Sequence, residues 1–114
     1  MIQLQEIITE LNLTLLTDPN QVEDKSAELG YTSDMLSCVM AGAKHNSLWV
    51  TLQAHLNIIA VATLLELSAI IITGGNQPDP SVIAKANQEG IVLLSTAEPS
   101  FNIAGRLWQM GIRS

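Results

Sequence analysis

The chain is poor in cations. Five Lys and Arg stand against eleven Asp and Glu, a formal charge of −6. Duplex nucleic acid and anionic membrane surfaces need clustered positive charge, so both are excluded as partners. Aromatics are equally scarce: two Trp, one Tyr and one Phe. That removes the interleaved aromatic and basic pattern of single-strand binders. Cys38 is the only cysteine, so no intrachain disulfide exists, and a reducing, cytoplasmic setting is expected. Two histidines and one cysteine, far apart, give no metal-ligand spacing. No G-x-x-x-x-G-K-[ST] run occurs, so ATP hydrolysis on a P-loop is not supported. Met1 leads directly into an amphipathic pattern without a basic n-region, which predicts no signal peptide.

What is abundant is apolar surface. Hydrophobic residues make up 47% of 114 residues and charged ones 14%, which fits one well-buried domain and excludes disorder. The apolar run Leu56–Ile72 is interrupted by Asn57, Thr63, Glu66 and Ser68, which argues against a membrane span.

Ser47–Gly75 reads as strand, helix, strand. The strands are Ser47–Leu52 and Ala69–Thr73, short and β-branched as in sheets covered on both faces. The helix is expected over about 56–67, and the order implies a parallel pair with a crossover. Before it, Leu4, Ile7, Ile8 and Leu11 mark a helix, and Leu13–Leu16 a strand. Ala27, Leu29 and Tyr31 alternate as one half-buried strand. Ser33 or Asp34 caps a helix carrying Met35, Leu36, Val39 and Met40, with Cys38 expected among buried residues. After it, Asp79-Pro80 starts a helix that Gly90 ends, Ile91–Leu94 is a strand, and Pro99 or Ser100 starts the last helix. Trp49 and Trp108 are expected in the core or an interface. The sum is a single three-layer α/β/α domain over 1–114, with a mostly parallel or mixed sheet of about five strands.

The pattern resembles a DRTGG domain over nearly the whole chain. The matching fragments include Asp34-Met35-Leu36-Ser37, Val39-Met40-Ala41, Leu48-Trp49-Val50-Thr51 and Gln53-Ala54-His55-Leu56-Asn57. They continue through Ile70-Ile71-Ile72-Thr73-Gly74-Gly75, Leu94-Ser95-Thr96 and Ala104-Gly105-Arg106-Leu107. Such domains occur inside phosphotransacetylases and CBS-containing pyrophosphatases, as stand-alone proteins, and are similar to the N-terminal domain of HPr kinase. The resemblance implies an accessory role that is regulatory, ligand-sensing or dimer-forming, with no catalysis and no cofactor. Stand-alone members are associated with hydrogenase-type gene clusters, which points to a metabolic or redox enzyme as a protein partner.

Three clusters follow strand ends: Gln53, His55 and Asn57; Thr73, Gly74 and Gly75; Ser95 and Thr96. If the strands are parallel, all lie at one carboxyl edge, where open α/β sheets bind ligands. Free N–H groups near Leu56 and Asn57 would favour a phosphate-bearing metabolite or nucleotide. Plain turn and cap chemistry fits the same residues. His55 has no nucleophile or orienting carboxylate nearby in sequence, so it is not read as a catalytic base. The expected helix after Asn57 is apolar nearly all round, which predicts a homodimer burying it or a neighbouring surface. A module that only assembles with a partner enzyme, with no small-molecule site, is the other reading.

Overall fold

The computed structural model describes all 114 residues. The elements are β1 (Ile2–Gln3), α1 (Leu4–Glu10), β2 (Thr14–Leu15), β3 (Ser26–Ala27), β4 (Gly30–Thr32), α2 (Leu36–Gly42) and β5 (Leu48–Thr51). They continue as α3 (Asn57–Leu65), β6 (Ala69–Ile72), α4 (Pro80–Glu89), β7 (Val92–Ser95) and α5 (Ser100–Met110), with a 3₁₀ turn at Pro19–Gln21. The main sheet has the order β2-β7-β6-β5-β4. β4 to β7 run parallel, and β2 joins β7 antiparallel. The mixed, mostly parallel α/β/α sandwich read from the sequence is therefore the fold.

Alternation along the strands builds two cores. Leu48, Val50, Ala69, Ile71, Val92 and Leu94 point to one side, where α1 and α5 contribute Leu4, Ile7, Ile103 and Leu107. Trp49, Ile70, Ile72 and Leu93 point to the other, under Val39, Ile58, Ile59 and Val82 from α2, α3 and α4. Every residue of β5, β6 and β7 is buried, which explains why these strands read as unbroken apolar runs. Each fully buried isoleucine of β6 contributes about 1.5–3 kcal/mol through removal from water.

The helix stops follow local chemistry. Pro80 takes the first turn of α4, and Gly90 ends it at φ 72°. Asp79 sits at the N-cap position, but its side chain makes no capping bond. α3 ends on Glu66 at φ 53°, a left-handed conformation that glycine would adopt without strain.

Several local expectations are refined or change. Met35, not Ser33 or Asp34, is the N-cap of α2, and no side chain makes a capping bond there. The alternating stretch Ala27–Tyr31 is not one strand: Ser26–Ala27 pairs with β1 in a separate two-stranded sheet, while Gly30–Thr32 is the edge of the main one. The break allows Ala27 to join the first core and Tyr31 to pack on the second. Cys38 is exposed, because α2 turns only Val39 fully inward, and Met35 and Met40 are exposed with it. Trp49 is fully buried, whereas Trp108 is 57% exposed and lies under the Arg113 guanidinium at 3.9 Å. α3 spans Asn57–Leu65, shorter than expected at both ends. No helix is long and apolar enough to cross a membrane.

Candidate functional site

The parallel pairing brings the ends of β4 to β7 to one edge of the sheet. Polar side chains tie their loops together there. The Asp34 carboxylate accepts from the Leu52 N–H at 2.7 Å and from Thr51 Oγ1 at 2.9 Å. Gln53 Nε2 donates to the Asp34 carbonyl at 3.0 Å, and Asn76 Nδ2 donates to the Leu52 carbonyl at 2.7 Å. The loop after β5 is thus clamped from both neighbouring strands.

The far half of the edge is closed. Gly74 N–H donates to the Glu98 carbonyl at 2.8 Å and Gly75 N–H to the Thr96 carbonyl at 3.0 Å. Both glycines have positive φ, and a Cβ on Gly74 would stand 2.7 Å from Leu52 Cδ2. Thr73 and Ser95 are buried. Thr96 Oγ1 accepts from the Glu98 N–H at 3.2 Å, and Glu98 in turn holds Arg106 at 2.9 Å.

The near half is open. A groove of about 580 Å³ runs between the loops after β5 and β6, lined by Gln53, His55, Leu56, Asn76, Asp79 and Ser81 among others. The N–H groups of Ala54, His55, Leu56 and Ser81 find no acceptor within the chain. The last three belong to the starts of α3 and α4, so two positive helix ends border one groove. His55 is exposed, and its Nδ1 accepts from the Asn57 N–H at 3.4 Å. No Lys or Arg lines the groove.

All eight residues singled out from the sequence therefore lie along this edge, but they do not form one surface. Gln53 and His55 line the groove. Asn57 lines an adjoining groove between α3 and α4 that shares His55 and Leu56 with it. Thr73, Gly74, Gly75, Ser95 and Thr96 build the closed half, with both glycine amides already occupied. Asp34, Asn76, Asp79 and Ser81 were missed as site residues. Their signal was positional: Asp34 and Asn76 lie in the loops that follow β4 and β6, and Asp79 and Ser81 lie at the start of α4.

Away from this edge, a polar groove of about 550 Å³ lies at the opposite end of the sheet, lined by Lys25, His45, Glu66 and Gly90 among others. Burial pushes the Lys25 ammonium below its ordinary pKa, and its Nζ donates to the Gly90 carbonyl at 2.9 Å. No group of three or more His, Cys, Asp or Glu is placed to hold a metal ion.

The DRTGG domain model matches residues 6–110, and the chain belongs to that family. No curated protein matches it in sequence. Among solved structures, it is similar to the CBS and DRTGG domains of the regulatory region of Clostridium perfringens pyrophosphatase, complexed with the activator diadenosine tetraphosphate. The TM-score is 0.74 at 18% identity. The match covers 94% of this chain but 46% of that one, so the chain spans about half the length of that regulatory region. At this identity the likeness establishes the fold.

Proposed function

We propose that the chain is a non-catalytic regulatory domain that binds a phosphate-bearing small molecule or nucleotide at the carboxyl edge and acts as a homodimer. One observation carries this reading: the unpaired N–H groups of His55, Leu56 and Ser81 border a single open groove. Helix starts of this kind favour anions. Gln53, Asn76 and Asp79 supply hydrogen-bonding edges suited to a base or sugar. With no cation in the groove, it suits one phosphate group beside a polar moiety better than a free polyphosphate. The family membership supports an accessory role. The nucleotide held by the related pyrophosphatase region guides the choice of probes. The lone cysteine supports a cytoplasmic setting.

Isothermal calorimetry with AMP, ATP, diadenosine tetraphosphate and acetyl phosphate tests the reading. Binding by at least one probe is expected, weakened in a His55→Ala, Asn57→Ala double variant of unchanged stability. No heat with any probe overturns it.

The second reading is an assembly module for a metabolic or redox enzyme of hydrogenase type, without a small-molecule site. It is favoured by the exposed Phe101 and Trp108 on α5, in the layer opposite α3 and α4. If no probe binds, and Phe101→Ala with Trp108→Ala abolishes capture of such an enzyme, this reading replaces the first.

A further inference from the structure

β4 is an edge strand of the main sheet, with β5 on one side only. The Leu48 N–H donates to the Leu29 carbonyl at 2.9 Å, and the Ser33 N–H to the Val50 carbonyl at 3.2 Å. Alternation along the strand then turns the main-chain groups of Leu29, Tyr31 and Ser33 toward β5 and those of Gly30 and Thr32 outward. This outward row is half used. Arg113 lies beside Leu29 as a parallel bridge: its N–H donates to the Glu28 carbonyl at 3.0 Å, and its carbonyl accepts from the Gly30 N–H at 2.7 Å. The ladder stops there. The Gly30 carbonyl and the Thr32 N–H find no partner within the chain. β4 also lacks the features that shield an edge from pairing: it has no charged residue, no proline and no bulge.

Beside this row runs a groove of about 360 Å³ between β4 and α5, lined by Thr32, Val50, Ala104, Leu107 and Trp108 among others. Unpaired main-chain groups next to a side-chain slot are what strand addition uses: the backbone supplies affinity and the slot selects a side chain.

We propose that the outer edge of β4 takes up an extended peptide segment of a partner protein, with an apolar side chain in the α5 groove and a carboxylate on Arg113. The chain itself shows the seat in use. Ile112, next to Arg113, is 3% exposed and joins the first core, so an extended segment on this edge sends an apolar side chain between the sheet and α5. Gly30 permits that approach, since a Cβ there would stand 3.1 Å from Ile112 Cγ2. An incoming strand takes up the ladder where Arg113 leaves it, and its apolar side chain enters the groove beside Ile112.

Charge sets the flank. Arg113 is the only charged side chain lining the groove. Its guanidinium stacks on Trp108 and uses Nη1 on the Trp108 and Ile112 carbonyls, which leaves Nη2 and Nε without an acceptor. A carboxylate on the peptide meets these donors, whereas a lysine there meets a like charge. No residue lines both this groove and the one at the carboxyl edge, so the inference stands apart from the phosphate reading.

The test is fluorescence anisotropy of fluorescein-labelled Glu-Val-Thr-Val-Thr-Val with the full chain, and of Lys-Val-Thr-Val-Thr-Val as the charge counterpart. The Glu peptide is expected to bind more tightly than the Lys peptide. Unlabelled, it is expected to shift the emission of Trp108 to shorter wavelength, while Trp49 is fully buried already. Thr32→Pro removes the outward N–H without touching a bond to β5, and is expected to weaken binding about threefold to tenfold with the circular dichroism unchanged. Thr32→Val keeps the N–H and is expected to bind as wild type does. A fully N-methylated Glu peptide is expected not to bind, which tests the same hydrogen bonds from the other side if Thr32→Pro fails to fold.

No binding of the Glu peptide overturns the inference, as does equal binding of its N-methylated form or tighter binding of the Lys peptide. Light scattering covers the other occupant: a dimeric wild type that Thr32→Pro makes monomeric assigns the edge to a second copy and overturns the peptide. Nucleotide binding plays no part in these measurements, so failure here leaves the ligand reading standing, and the reverse holds too.

Discussion

Thr73 Oγ1 lies 2.6 Å from Ser100 Oγ and donates to the Thr51 carbonyl at 3.2 Å. Since the Thr73 proton goes to that carbonyl, the Ser100 hydroxyl must be the donor to Thr73. The end of β6 is thereby fixed to the end of β5 and to the first turn of α5. The edge that opens into the groove on one side is welded shut on the other. Thr73→Val is nearly isosteric but removes both bonds, leaving the Thr51 carbonyl without this partner. A loss of about 1–3 kcal/mol in urea unfolding is expected. An unchanged midpoint would show that the hydroxyl does not hold the edge.

The glycine pair separates two effects. Gly75→Ala meets open space at φ 77°, so strain alone acts, costing about 1–2 kcal/mol. Gly74→Ala adds the collision with Leu52 Cδ2 and should cost more. Leu52→Ala in the Gly74→Ala background should restore only the collision part, bringing it level with Gly75→Ala. Equal costs for the two single variants would mean that Leu52 swings clear freely.

Glu66 closes α3 in a left-handed conformation, with only an exposed contact to His45 at 3.6 Å in its favour. Such surface pairs contribute little. Glu66→Gly should therefore stabilise the protein by about 0.5–1 kcal/mol by relieving strain, partly offset by the entropy of the unfolded glycine. A lower melting temperature in the variant would contradict this.

Lys25 gives a pH dependence of definite sign. Burial lowers its folded-state pKa below the unfolded value, so as pH rises the folded state releases the proton first. Between the two values the unfolded chain binds more protons, and this group's contribution to stability rises with pH. Below that window both states are charged and the full desolvation penalty persists. The hydrogen bond to the Gly90 carbonyl survives, since a neutral amine still donates. The melting temperature of Lys25→Met relative to wild type should therefore fall as pH is raised from 7 toward 10. A difference that stays constant or grows would refute the buried-ammonium account.

Much of the sheet was legible because β5, β6 and β7 are covered on both faces. Val50, Ile70–Ile72 and Leu93 then form apolar runs that no surface helix would show. The first half was harder to read. Ala27 and Tyr31 share a period of two, yet a break at Glu28-Leu29 sends them to different cores, and alternation cannot report such a break. Cys38, on an apolar stretch, reads as buried, but α2 is short and lies at the rim of its layer, so one residue suffices to anchor it. At the site, sequence order gave the edge and not the partners. Whether the Gly74 and Gly75 amides face a ligand or the Glu98 and Thr96 carbonyls depends on a loop more than twenty residues away. The groove wall formed by Asn76 and Ser81 depends likewise on where α4 sits.

The most direct test of the central claim is an amide NMR titration of the full chain with diadenosine tetraphosphate and, separately, AMP. One of the two is expected to move the amide resonances of Ala54, His55, Leu56 and Ser81, the unpaired N–H groups at the groove. Resonances that stay put with both probes, or that move only around Lys25 and Gly90 at the opposite end of the sheet, would contradict it.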